Sequence, residues 1–185
     1  MTILDYPRHF VLLVGATAAL ALALTMQAPW SPVENRLLVI FGLSGVLHAL
    51  AVVLALRADA PWSSRVWFVA AAAVVSIAAA LGGLGLAGML HLNLTLTVLL
   101  GLAFTSALGA AWYWLLVRRF WAPFLSRQSL LLTIGACLAA TLIAALAGGA
   151  DHVRRDPFLS ALWWVGFSLS LYVADRRRHR GHLVR

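Results

Sequence analysis

Apolar residues in this chain come in long blocks, with arginines standing between the blocks. Six runs carry almost no charge apart from arginines at their ends: residues 9–28, 36–57, 65–90, 92–117, 128–147 and 157–174. A helix rises 1.5 Å per residue, so a hydrocarbon core about 30 Å thick takes roughly 20 residues to cross. The pattern predicts six membrane-spanning helices, with no alternating pattern that would ask for a strand. Turn residues punctuate the runs. Pro29, Trp30 and Pro32 end the first, and Glu34 and Asn35 complete a tight turn. Residues 58–64, with Pro61 and Trp62, form the next turn. The basic, aromatic stretch 118–127 contains Phe120, Trp121 and Pro123 and is predicted to lie along the membrane surface. Residues 148–156 form a loop, and Pro157 opens the sixth helix, in the first turn, where proline is tolerated. The fold class expected is all-α: a polytopic membrane protein of six transmembrane helices arranged as three hairpins. Residues 1–175 make one transmembrane domain, and 176–185 make a basic tail.

Small residues recur at helical spacing within several runs. The fifth run has the rows Thr133, Cys137, Thr141, Ala145 and Ala136, Ala140, Ala144, Gly148. The fourth has Gly101, Thr105, Gly109, and the third has Ala79, Gly83, Ala87 beside Ala78, Gly82. In lipid, helices associate where small side chains let backbones approach. These three helices are therefore expected at the tight centre of the bundle. The same small faces are candidates for contact with a protein partner or a second copy.

Composition strengthens the membrane reading. The chain is 63% hydrophobic and 11% charged, where a soluble domain has about 25% charged residues. Arginine supplies the whole net charge of +8, since lysine is absent. With the N-terminus inside, the inner side holds Arg8, Arg57, Arg65, Arg118, Arg119, Arg127, Arg176, Arg177, Arg178, Arg180 and Arg185. The outer side holds Arg36, Arg154 and Arg155. Positive charge collects on the cytoplasmic side, so both termini are expected inside, with the chain in the cell inner membrane. Arg176, Arg177, Arg178 and Arg180 are expected to meet anionic lipid headgroups. No basic stretch is interleaved with aromatics in the manner of a nucleic-acid surface. The first run lacks a small-x-small cleavage site at its end, QAPWSPVEN, and is read as a retained helix.

Chemistry-bearing residues are few. No Asp, Glu, Lys or Arg lies near the centre of a run, which counts against ion-coupled transport. The lone Cys137 excludes an intrachain disulfide and a CxxC site. His48, in the second run, is the one ionisable group near mid-membrane, and such a histidine is a site candidate by default. No cofactor or metal is expected. Haem or quinone held by His48 is a distant alternative, because His9 and His91 sit at other depths.

Ser44 lies four residues before His48, on the same helix face, between Gly42 and Gly45. A nucleophilic serine needs a base in reach and open space for a carbonyl. The stretch Gly42-Leu43-Ser44-Gly45-Val46-Leu47-His48-Ala49-Leu50 resembles the GxSG segment of the rhomboid intramembrane serine proteases, rhombosortases included. The resemblance implies Ser44 as nucleophile. By helix order it implies His91 as base, with His48 as the same-helix alternative. It covers nine residues. Rhomboids have three helices before the serine helix, where this chain has one, so the family's oxyanion residues have no counterpart here. Two function classes stay open from sequence. One is a non-catalytic membrane subunit or small-solute passage protein. The other is a rhomboid-like serine hydrolase.

Overall fold

The computed structural model describes Gly15, Thr17, Ala18 and residues 33–56, 61–90, 93–120, 125–148, 159 and 161–174. Every regular element among the described residues is a helix. They are α1 (Val33–Leu56), α2 (Trp62–Gly88), α3 (Leu94–Phe120), α4 (Arg127–Gly148) and α5 (Ala161–Ala174). Gly15, Thr17 and Ala18, in the first apolar run, are helical too. Among the described residues, three helices are long and apolar enough to cross a membrane: Trp62–Gly88, Leu96–Phe120 and Arg127–Ala147. The protein is an all-helical bundle of membrane character.

The helix ends fall differently from the turns that prolines and tryptophans suggested. Glu34 and Asn35 lie inside α1, and Trp62 opens α2 directly after an extended Pro61. At the other end of α3, Arg118, Arg119 and Phe120 continue the helix rather than leaving it for the surface. Arginines there face the negative dipole end, and the Arg118 guanidinium lies 5.3 Å from the Trp114 ring centroid. Asn93 sets the start of α3: its Oδ1 accepts from the Leu96 backbone N–H at 2.9 Å. Ser126 does the same for α4, with its hydroxyl accepting from the Ser129 N–H at 3.3 Å. Asn93→Ala is expected to cost about 1 kcal/mol, the value of a lost N-cap, read as a small fall in thermal midpoint in detergent.

Small residues set the helix spacing. α2 and α3 form the most extensive pair, and they run antiparallel. Gly101 faces Ala87, Gly83 faces Thr105, and Gly109 faces Ala79, so each step of four along one helix matches four back along the other. α1 crosses α2 at Gly45 against Ala72 and Ser76. α5 crosses α4 where Gly166 lies against the Ala136 carbonyl. Thr133, Cys137, Ala140, Thr141 and Ala144 are buried, so the α4 rows are spent within the bundle. Hydroxyls on these faces bond at close range. Thr105 donates to the Ala80 carbonyl at 3.3 Å, and Thr133 Oγ1 lies 2.7 Å from Ser170 Oγ. Large side chains such as Val74, Leu81, Leu131 and Leu146 point outward.

The core sits toward the arginine-bearing ends of α2 and α3. Phe68, Tyr113, Trp114, Val117, Trp164 and Phe167 pack there around α1 residues Ala49, Val52 and Val53. That aromatic mass surrounds His48.

Candidate functional site

His48 is fully buried, and its ring reaches from α1 to α3 and α5 at once. Nδ1 lies 2.9 Å from the Tyr113 hydroxyl, and Nε2 lies 2.9 Å from Ser168 Oγ. A neutral imidazole has one donor and one acceptor, and each hydroxyl can play either part. Tyr113 donates to Nδ1 while Nε2–H donates to Ser168, or the chain runs the other way; both tautomers leave both nitrogens bonded. Trp164 stacks on the ring at 4.3 Å between centroids and 17° between planes. Tyr113 and Phe167 meet it edge-on at 5.4 and 5.8 Å. Phe68 of α2 closes the cluster against Tyr113 at 6.1 Å. Residues from α1, α2, α3 and α5 thus meet in one aromatic, hydrogen-bonded knot.

Local sequence explains each placement. Ser168 and Trp164 are four apart on α5, so both present to one face. Ala49 and Ala72 are fully buried in the same core. Further links fasten the helices around the knot. Trp163 Nε1 donates to Ser106 Oγ at 3.0 Å, and Trp114 Nε1 donates to Ser129 Oγ at 3.2 Å.

Ser44, one turn earlier on α1, is also buried, at 4% exposure. The glycines beside it are occupied by the neighbouring helix. A Cβ on Gly45 would come 3.1 Å from the Ala72 carbonyl and 2.5 Å from Ser76 Oγ. A Cβ on Gly42 would come 3.2 Å from Ile77 Cδ1. The missing side chains therefore bring α1 close to α2. His48 directs its nitrogens to Tyr113 and Ser168, so a bond to Ser44 would replace one of these. His91, the other histidine of the rhomboid-like reading, lies outside the described residues, as do Arg176, Arg177, Arg178 and Arg180. Among the described residues no three His, Cys, Asp or Glu side chains come together as a metal site would need.

Tyr113, Trp164, Phe167 and Ser168 are the members of this cluster that sequence reasoning missed. In sequence, Trp112, Tyr113 and Trp114 stand together near the end of the fourth run, as an aromatic belt at the membrane interface would. Only Trp112 is exposed, while Tyr113 and Trp114 are buried. Three consecutive residues on a helix lie at nearly one depth but point in three directions about 100° apart, so they could not share one face of the helix. That spacing was the available signal. No family model matches the chain, and no curated protein or solved structure matches it either.

Proposed function

We propose that this chain is a non-catalytic subunit of the cell inner membrane, with six spans and both termini in the cytoplasm. It acts by holding its place in an assembly rather than by turning over a substrate. The observation that supports this most directly is the commitment of both His48 nitrogens to Tyr113 and Ser168. A general base or an axial ligand needs a nitrogen free for the reacting group or metal. The tight seating of Gly42 and Gly45 against α2 supports the same reading, since a hydrolase would need that space for a scissile carbonyl. The arginine asymmetry supports the orientation. With the small-residue rows spent internally, a partner or second copy meets outward side chains such as Leu131 and Leu146.

Purified protein in detergent, treated with a fluorescent fluorophosphonate beside Ser44→Ala, tests this. Equal labelling of the two, at the level of a heat-unfolded control, is expected. Labelling of the wild type that disappears in Ser44→Ala would replace this reading with the rhomboid-like hydrolase.

A further inference from the structure

Four arginines stand at one end of the bundle on three different helices: Arg65 in the first turn of α2, Arg118 and Arg119 in the last turn of α3, and Arg127 at the start of α4. Packing brings these helix ends together. Phe68 of α2 meets the Tyr113 and Phe120 rings of α3 at 6.1 and 5.9 Å between centroids, so it lies between their levels. The Trp114 indole of α3 donates to Ser129 Oγ of α4 at 3.2 Å. Arg65 is three residues outward from Phe68, Arg118 is four outward from Trp114, and Arg127 is two outward from Ser129. At the helical rise per residue, the four Cα atoms fall in a layer roughly 10 Å deep.

Arg118, Arg119 and Arg127 are exposed, and Arg65 is half-buried. Among the described residues the one acidic residue is Glu34, in the first turn of α1. It belongs to the opposite end, because α1 and α2 run antiparallel, with Gly42 against Ile77 and Gly45 against Ala72. No carboxylate among the described residues therefore offsets the charge of this layer. The surface around it is apolar. Trp62 and Trp67 are exposed on α2 beside Arg65, and Trp112 and Leu115 are exposed on α3 just inward of Arg118. Exposed tryptophans near a ring of cations mark the headgroup level of a membrane.

We infer that this end of the bundle is a docking surface for the headgroup of an anionic phospholipid. The guanidiniums of Arg118, Arg119 and Arg127 donate to the phosphate oxygens, a pairing that suits their forked N–H groups, and Arg65 adds charge from α2. The acyl chains run down the apolar surface that begins within a turn of the same arginines. That surface favours a lipid over a soluble polyanion, which would match the charge and leave the tryptophans and Leu115 uncovered. The surface is part of the helical body, distinct from the tail arginines Arg176, Arg177, Arg178 and Arg180, and does not depend on whether the protein is catalytic.

Native mass spectrometry of the purified, delipidated full chain in a neutral detergent tests it, by titration with dioleoylphosphatidylglycerol or dioleoylphosphatidylcholine. Attraction of an anionic lipid is worth about fivefold in affinity per arginine near the surface. The wild type is expected to hold the glycerol lipid at least about 30-fold more tightly than the choline lipid. Arg119→Gln combined with Arg127→Gln is expected to weaken the glycerol lipid about 25-fold and leave the choline lipid unchanged. Arg127→Gln alone, with about a fivefold loss, serves should the pair not fold. Glutamine at all four tail arginines is expected to cost the glycerol lipid less than the paired substitution does, and inorganic phosphate in large excess is expected not to displace it. Equal binding of the two lipids overturns the proposal, as does unchanged selectivity in the folded Arg119 and Arg127 variants. Selectivity lost through the tail substitutions alone would assign it to the tail, and displacement by inorganic phosphate would make this a free-anion site; either result overturns it.

Discussion

His48→Ala is expected to lower the unfolding free energy by about 3–5 kcal/mol, the range for truncating a large buried ring. The side chain is wholly buried and stacked on Trp164, so the cut leaves a void in the middle of the aromatic core. It also strands the Tyr113 and Ser168 hydroxyls. Which loss dominates can be decided from magnitudes. Interhelical hydrogen bonds in membrane bundles average about 0.6 kcal/mol and reach about 2 kcal/mol. Two of them come to less than the packing term in most cases. His48→Phe restores an aromatic face without the nitrogens, and it is therefore expected to cost less than half as much as alanine. Were hydrogen bonding in command, phenylalanine would be as damaging as alanine. A double-mutant cycle isolates the polar part: Tyr113→Phe costs about 1 kcal/mol in the wild type and close to nothing beside His48→Phe. Denaturant titration in mixed micelles, followed by tryptophan fluorescence, measures all four. A loss below about 1 kcal/mol for His48→Ala would mean that the ring is not part of the core.

Gly83→Ala is the second large effect, and it acts through a single methyl group. A Cβ at Gly83 would fall on the Thr105 backbone nitrogen, Cα and hydroxyl. Backbone atoms in a packed helix do not step aside, so α2 and α3 must separate along their whole contact. Overpacking commonly costs 1–3 kcal/mol, and an obstruction by backbone belongs at or above about 3 kcal/mol. Gly85→Ala is the matched control two residues away. Among the described residues nothing lies within 4 Å of its added Cβ, so only helix propensity changes, which favours alanine by up to about 1 kcal/mol. Gly101→Ala falls between, because the Leu84 side chain that it meets at 3.1 Å can turn away. The expected order is Gly83→Ala far below Gly101→Ala, with Gly85→Ala at or above the wild type, in thermal midpoints of the purified proteins. Similar midpoints for Gly83→Ala and Gly85→Ala would mean that the α2–α3 contact is looser than its geometry indicates.

The rows of small residues were readable, and the knot around His48 was not. Gly101, Thr105 and Gly109 recur every four residues, a spacing that places them on one face whatever the partner helix is. His48 was readable as an isolated polar side chain in an apolar run. Its partners were hidden, because Tyr113 and Ser168 lie 65 and 120 residues away along the chain. The same limit applied to Ser44. Its glycine neighbours suit an open catalytic pocket and a close helix crossing equally well in sequence, and the approach of Ser76 and Ala72 to Gly45 is visible only in the structure.

By itself, the sequence determined that the chain is helical and apolar enough for a membrane, because block length and hydropathy are local properties. It also determined which residues are small enough to form close helix contacts. Only the tertiary structure decided which face of each helix turns inward. Helices apolar on all sides carry no stripe that separates core from lipid, so rotation about the axis cannot be read from the pattern. That rotation joins His48 to Tyr113, Trp164 and Ser168. Those contacts join helices distant in sequence, and their partners were settled by packing geometry, which a one-dimensional pattern does not encode.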